Sequence, residues 1–248
     1  MHELRHGPAR LLVVDDNKVN RLLLTRSLEL QGHRVATAEN GRVALDKLRA
    51  SPFDLLGLYQ GVSMAERGAA IVLHAAEALS LGNVSSSTTL EIVSGGAVSL
   101  GTTTVGTNLA ITSGTGGTGG ITQTGALQIT GTSLLNAGTG AVVLNNAAND
   151  FGAAVTVTAG NAELVASGAL VLDVLDVGGN LTLQSDGALT LGTGFVGGTL
   201  TADSNNSAIT QQAGGLEVSG VVSLNAGTGA ITLADAANQF DSTVNASG

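Results

Sequence analysis

Two groups of residues have types and spacings that could do chemistry, and each lacks a part that the chemistry requires. The glycine-rich run 114–120 is similar to a phosphate-binding loop, but it contains no Lys and no helical pattern follows it. Asp173 and Asp176, with glycines at 178 and 179, suggest calcium binding, but the nonapeptide GGxGxD is absent. We therefore interpret the run as a corner of a solenoid and the two Asp residues as solvated loop acids.

The positions of Lys and Arg divide the chain into two pieces. All ten fall within residues 1–67, beside eight Asp and Glu, which gives this piece a formal charge of +2. Residues 68–248 hold the other eleven carboxylates and no base, so their charge is −11. Glycine changes at the same place, with 5 of the 36 before position 68 and 31 after it. The break indicates two pieces of different origin, and the acidic one is expected to repel nucleic acid.

The composition also excludes several kinds of site. Without Cys the chain can form neither a disulfide nor a thiolate metal site. Residues 1–10 lack the apolar run of a signal peptide, and no apolar run approaches the ~20 residues of a membrane span. As written, the sequence therefore predicts a cytoplasmic protein without a membrane span. His74 is the only His beyond residue 67, and we expect it at the surface or in a turn.

Strand and helix patterns alternate through residues 1–58, which predicts the start of a doubly wound parallel α/β fold. Short apolar runs indicate strands, and apolar residues at helical spacing indicate helices with Asn caps and a glycine stop. The predicted elements are a strand at 11–14, a helix at 19–30 between Asn17 and Gly32, a strand at 34–38, a helix capped by Asn40, and a strand at 53–58.

The stretch VVDDNKVNRLLLTRSLELQGHRVATAENGRVALDKLRASPFDLL resembles the first half of a response-regulator receiver, the flavodoxin-like module of phosphorelays. The resemblance implies that Asp15 and Asp16 help to hold Mg²⁺. Oxygen ligands at the carboxyl end of a parallel strand suit that ion. The alternative is that the two acids cap a helix and stay solvated.

The same stretch lacks the groups that phosphoryl transfer needs. Tyr59 stands where the resemblance expects the phosphoacceptor Asp, and Asp54 lies at the opposite end of the predicted strand from the Asp pair. The later Lys of the family is missing, since no Lys follows Lys47. We therefore predict a truncated, inert receiver fragment with no phosphoacceptor, no catalytic residue and no cofactor beyond weak Mg²⁺ at a vestigial site.

The second piece repeats itself. ITQ occurs at 121 and 209, LNAGTGA at 135 and 224, and A-A-N-x-F at 147 and 236, with offsets of 88 or 89 residues. Apolar-polar-apolar triplets lie between these motifs, and each predicts a short strand with its two apolar side chains inward. A weaker echo at 70–76 favours strand and turn there, although helix propensity is high. The triplets begin at residues 98, 109, 127, 142, 170, 181, 189, 222 and 231.

Such short strands without aromatic residues predict a coil rather than a flat sheet. With roughly 20–22 residues per coil, residues 69–248 make about eight coils and the repeat offset is about four. GNLTLQSDGALTLGTG and AGTGAITL resemble the filamentous-haemagglutinin and autotransporter passenger repeats. That resemblance implies a right-handed parallel β-helix of the secreted or cell-surface type found in bacterial adhesins.

Three hypotheses about function follow. The first is a non-enzymatic structural or adhesin-type β-solenoid at 69–248, joined through residues 59–68 to an inactive receiver fragment at 1–58, as a gene fusion or two joined fragments. The second is a phosphorelay receiver, and the third is a carbohydrate-active β-helix enzyme, against which the lack of basic residues counts. As partners we expect end-to-end self-association through exposed coil edges, and a surface glycan or protein that the sequence does not identify.

Overall fold

Residues Met1–Met64 and Ala65–Gly248 form separate units of the chain, and each is described by itself. The computed structural model describes residues 10–14, 18–30, 32–50, 55–58, 64–66, 70–115 and 119–248.

The first unit has three parallel strands in the order β2-β1-β3, with two helices in the connections. Alternation of strand and helix in this part of the chain is as the apolar pattern predicts. Its elements are β1 (Arg10–Val14), α1 (Lys18–Leu30), β2 (Arg34–Ala38), α2 (Gly41–Ala50) and β3 (Leu55–Leu58). Neither described helix, with 13 and 10 residues, has the length and apolar character of a membrane span.

Local signals set the helix ends in this unit. The Oδ1 of Asn40 accepts a hydrogen bond of 2.9 Å from the N–H of Val43, so Asn40 caps α2 as predicted. Gly32 has φ +89° and its N–H donates to the carbonyl of Glu29 at 2.9 Å, while the N–H of His33 donates to that of Leu28. These two bonds form a Schellman motif, which ends α1 at the predicted glycine.

The core of the first unit is small, and α1 leaves its apolar residues exposed. Leu12, Val14, Ala38 and Ala44 form the buried cluster. The regular apolar spacing in α1 would ordinarily indicate a buried face. Instead, four apolar side chains of α1 are more than half exposed, because the described part of this unit provides no layer over them: Val19, Leu22, Leu23 and Leu30.

The second unit is a parallel β-solenoid in which the chain passes three faces in turn in each coil. Face 1 begins with β4 (Met64–Glu66), β7 (Val84–Ser86), β10 (Thr103–Val105), β13 (Leu127–Ile129) and β16 (Asp150–Phe151). In the later coils its place is taken by the first half of β19 (Leu170–Val177), then β21 (Leu189–Leu191) and β24 (Ile209–Gln211).

In the described part of the chain, face 2 and face 3 each contain nine strands, all parallel. Face 2 comprises β5 (Ile71–Ala75), β8 (Leu90–Ser94), β11 (Leu109–Ser113), β14 (Ser133–Asn136), β17 (Val155–Ala159), the second half of β19, β22 (Thr193–Val196), β25 (Leu216–Val218) and β27 (Gln239–Phe240). Face 3 comprises β6 (Leu79–Ser80), β9 (Val98–Leu100), β12 (Gly120–Gln123), β15 (Ala141–Leu144), β18 (Ala162–Ala166), β20 (Leu181–Ser185), β23 (Leu200–Asp203), β26 (Val222–Asn225) and β28 (Val244–Ser247).

The coils vary in length but stay in register. Paired residues of neighbouring coils are 17 positions apart at the shortest, from Val155 to Leu172, and 24 at the longest, from Leu109 to Ser133. From Leu79 to Val244, eight steps of face 3 cover 165 residues, a mean of 20.6 per coil. The mean agrees with the predicted coil length, and the nine coils are one more than the eight predicted.

The core of the solenoid is a column of aliphatic side chains that point inward at every second position. The first eight predicted triplets have both apolar side chains buried, as in Val98 and Leu100 on β9. The ninth triplet, Ile231 to Leu233, is only half-buried. Predicted strand and turn at residues 70–76 are confirmed by β5, which is a strand and not a helix.

The repeat offset is not a whole number of coils. The 88- to 89-residue offset corresponds to about 4.3 coils, close to the four predicted, since each coil averages 20.6 residues. The repeated motifs therefore move on by one face: ITQ lies on face 3 at Ile121 and on face 1 at Ile209. Likewise Phe151 lies on face 1 and Phe240 on face 2. We call residues 121–158 the first copy and residues 209–247 the second copy.

Candidate functional site

The predicted receiver site lies outside the described residues. Asp15 and Asp16, Tyr59 at the acceptor position, and Asp54 all fall in stretches that the structure does not describe. The magnesium site and the lost phosphoacceptor therefore stay predictions.

The two chemical candidates of the second piece are parts of the solenoid. Gly114 has φ +76° and donates from its N–H to the carbonyl of Gly96 at 3.2 Å, so the described start of the glycine run bonds to the preceding coil. Asp173 and Asp176 were predicted to lie in a loop, but they lie in the strand β19. The reason is that β19 crosses from face 1 to face 2 without a turn. Both are exposed.

Clusters of metal-binding side chains are absent from the described part of the chain. Across these residues, no three His, Cys, Asp or Glu side chains lie close enough together to hold an ion. His74 is exposed on β5, in agreement with the predicted surface position.

The most elaborate polar site is a buried amide pair between Gln123 and Asn149. The two side chains exchange hydrogen bonds, with Gln123 Nε2 donating to Asn149 Oδ1 at 2.7 Å and Asn149 Nδ2 donating to Gln123 Oε1 at 2.9 Å. Asn149 Oδ1 also accepts from the N–H of Leu127 at 3.0 Å. Asn149 Nδ2 reaches the carbonyls of Leu144 at 3.1 Å and Val165 at 3.2 Å. One fully buried side chain therefore ties three successive coils together.

The second copy contains the same pair. Gln211 Nε2 donates to Asn238 Oδ1 at 2.6 Å, and Asn238 Nδ2 donates to Gln211 Oε1 at 2.8 Å. Asn238 Oδ1 accepts from the N–H of Leu216 at 2.9 Å, as Asn149 does from Leu127. The ITQ and A-A-N-x-F motifs therefore supply the two halves of one amide pair. The sequence analysis recognised both motifs as repeats but missed their pairing, for which the only signal is their similar separation, 26 positions in the first copy and 27 in the second.

The LNAGTGA motif forms the same tight turn in both copies. The N–H of Gly140 donates to the carbonyl of Ala137 at 2.8 Å, and Gly138 has φ +55°. In the second copy the N–H of Gly229 donates to Ala226 at 2.7 Å, and Gly227 has φ +56°. A glycine at the first central position with this φ is typical of a type II′ turn. The motif is thus a structural corner.

The pKa of Asp235 is lowered by hydrogen bonds to its carboxylate. The N–H of Gly214 donates to its Oδ2 at 2.7 Å, and the N–H of Ala237 donates to its Oδ1 at 2.8 Å. These bonds, that of Gly214 first, hold the pKa of Asp235 below its ordinary value, because they stabilise the carboxylate. Asn146 holds the same position in the first copy, and its Oδ1 accepts from the N–H of Ala148 at 2.9 Å. The same turn is therefore stabilised by a carboxylate in the second copy and by an amide in the first.

Face 3 presents one continuous outward column, which is mainly hydroxylic. Its members succeed one another at the ~4.8 Å spacing of paired strands. The column consists of Ser80, Ser99, Thr122, Val143, Glu163, Thr182, Thr201, Ser223 and Asn245. Around its middle lies a shallow open depression, lined by Val142, Val143, Asn161, Ala162, Glu163, Asn180 and Thr182.

These features define the class of the protein as a repeat solenoid whose described polar groups serve mainly to join coils. A family described as "Repeats of unknown function (DUF5649)" matches residues 87–158 and 178–247, which together are 142 of the 248 residues. The chain belongs to this family. No curated protein and no solved structure matches the chain. The family match does not extend over residues 1–86, so the resemblance to a receiver stays a prediction.

Proposed function

We propose that the solenoid is a non-catalytic structural module of the adhesin type, which presents a binding face on a parallel β-helix. One observation carries this proposal: the fully buried amide of Asn149 is engaged in joining coils. Its bonds to Gln123, Leu127 and Val165 of neighbouring coils leave it no capacity for a ligand.

The depression on face 3 supports the absence of catalysis. Glycoside hydrolysis ordinarily needs two carboxylates on either side of the scissile bond. Glu163 is the single carboxylate among the residues that line the depression. This arrangement gives the carbohydrate-active alternative no support, and no described feature favours the phosphorelay alternative.

The outward column of face 3 is the surface that we assign to binding. Its hydroxyl groups donate and accept hydrogen bonds, and their regular spacing suits an extended, hydroxylated partner such as a polysaccharide. Thr182 and Glu163 lie at the centre of this surface, and both belong to the depression.

The test measures retention and cleavage together. The full chain is passed over immobilised polysaccharides, and the eluate is assayed for released reducing ends and unsaturated products. We expect retention without cleavage, weakened in Thr182→Val and Glu163→Gln but not in the matched control Thr104→Val, an exposed threonine on face 1.

Each part of the proposal can fail by itself. Release of sugar products would refute the non-catalytic role. Lack of retention on every polysaccharide, or equal weakening by Thr104→Val, would refute the assignment of face 3 to glycan binding.

A further inference from the structure

A bulge in β19 adds an outward side chain to face 2. Leu172 and Leu175 both point into the core, although three positions separate them. Between them Asp173 and Val174 are both exposed, and together they lie opposite the single residue Thr156 of β17. A regular strand would turn one of the two inward, since its side chains alternate. The extra residue therefore brings both an acid and an apolar side chain to the surface.

The residues next to this bulge form a row in which an aromatic ring lies between two acids. Asp176 of β19 is opposite Phe195 of β22, and Phe195 is opposite Glu217 of β25. Both acids are exposed. Adjacent strands are ~4.8 Å apart, so the two acids lie on strands about 10 Å apart along the solenoid. We call Asp173, Val174, Asp176, Phe195 and Glu217 the acidic patch. It belongs to internal coils of the solenoid.

Phe195 lies against the sheet with part of its ring open to water. Its side chain is half-buried, and a Cβ at Gly197 would lie 3.1 Å from Cε1 of the ring, so the ring leans over this glycine. Gly194, which precedes Phe195, has no side chain to cover the ring. A cationic group is attracted to the open face of an aromatic ring, and more so where carboxylates stand beside it.

The acidic patch requires a positively charged partner with more than one cation. Residues 68–248 contain no Lys and no Arg to pair with the acids. A single metal ion does not fit, because in the described part of the chain no three acidic or His side chains lie close enough together to hold one. The partner must instead carry cations about as far apart as Asp176 and Glu217.

We propose that the acidic patch binds an extended, arginine-containing polypeptide segment that lies along the solenoid axis. Arg suits this surface, because its planar guanidinium stacks on an aromatic face and bonds to a carboxylate through two N–H groups. A polyproline II segment rises ~3.1 Å per residue, so Arg residues three positions apart are ~9.3 Å apart on one side of the segment. That distance matches the separation of the two acids. This binding is independent of what face 3 binds.

The test uses the full 248-residue chain and a fluorescent peptide with Arg at every third position and Pro between. Saturable binding is expected by fluorescence anisotropy in ~0.1 M salt. Glu217→Gln should weaken it about two- to fivefold, the effect of one exposed charge pair. Asp176→Asn combined with Glu217→Gln should weaken it about tenfold.

Glu91→Gln is the matched control. Glu91 is an exposed acid of face 2, in β8, four strands away from β19. That distance is about 19 Å, beyond the Debye length of ~10 Å in 0.1 M salt. The control removes the same charge from the same face, and we expect no change in affinity.

A second arm tests the aromatic ring. Phe195→Leu keeps an apolar side chain but removes the aromatic face, so the Arg peptide should bind about two- to fivefold more weakly. A peptide with Lys in place of Arg should bind the parent chain more weakly than the Arg peptide does, because Lys has no planar group to stack. This difference should narrow in Phe195→Leu. Circular dichroism of each variant checks that the coils remain folded.

Several results would overturn the proposal. They are the absence of saturable binding, equal weakening by Glu91→Gln and Glu217→Gln, and unchanged affinity in Phe195→Leu. Equal affinities of the Arg and Lys peptides would show attraction by net charge alone and would also reject the site.

Discussion

The first and second copies have the same motifs and the same turns, but they differ in how completely their side chains are buried. Asn149 is fully buried and bonds to three coils, whereas Asn238 is half-buried and its bonds reach Gln211 and Leu216. The local sequence is closely similar in both, so it determines the turn and the amide pair. Burial depends instead on the coil that follows, which residues 160–177 supply to the first copy.

The copies also lie on different faces without any change of local conformation. Leu135 lies in β14 on face 2, and Leu224 lies in β26 on face 3. The turn after each has a glycine φ of +55° or +56°. This strand and its corner therefore form a unit that fits face 2 and face 3 alike. Each face requires the same thing of a strand, which is two apolar side chains pointing inward.

The largest difference between the copies is expected for the buried amides. Asn149→Ala should lower the free energy of unfolding by about 3–4 kcal/mol, because it leaves the N–H of Leu127 and the Oε1 of Gln123 without partners. Asn238→Ala should cost about half as much, since water reaches that site. Urea denaturation measures both. Equal losses would show that the covering coil adds nothing to the amide pair.

A difference of about the same size is expected for the leucines of the repeated triplet. Leu144→Ala should cost about 2–5 kcal/mol by opening a cavity in the core. Leu233→Ala should cost about 1 kcal/mol, because its side chain is already partly in contact with water. Thermal denaturation of the two variants provides the comparison, and a larger loss for Leu233→Ala would contradict the burial argument.

For the turn glycines, the larger loss of stability is expected in the second copy. Gly138→Ala should cost about 1 kcal/mol, the strain of a positive φ, since a Cβ there meets no atom within 4 Å. Gly227→Ala should cost about 2 kcal/mol, because its Cβ would also clash with Oδ1 of Asn206. Equal melting temperatures of the two variants would mean that Asn206 moves aside freely.

The smallest effect is expected for Asp235, and it depends on pH. The lowered pKa of Asp235 adds stability above the ordinary pKa of an Asp, about 3.9, and this is lost as pH falls through the lower folded value. Asp235→Asn keeps a turn like that of Asn146 but lacks this charge-dependent contribution, so it should melt slightly below the parent chain at pH 7 and at nearly the same temperature at pH 3. A deficit of the variant that grows as the pH falls would contradict this sign.

Much of the architecture was predictable from residue patterns. The change in Lys, Arg and Gly at residue 68 separates the pieces, and the two-residue period identifies the strands, since alternate side chains of a strand face opposite sides. Asn40 and Gly32 were predictable as helix ends for equally local reasons. The assignment of residues 1–58 to a receiver, in contrast, remains a prediction.

The sequence by itself determined the strands, the corners and the repeat, because each depends on residues within a few positions of one another. Only the tertiary structure decided which face a strand occupies, since small variations in coil length, from 17 to 24 residues, add up along the chain. It also decided the pairing of Gln123 with Asn149 across 26 positions and the run of β19 through Asp173 without a turn. These features depend on contacts between coils. Burial of a coil likewise depends on the coil that packs over it, as residues 160–177 do over the first copy.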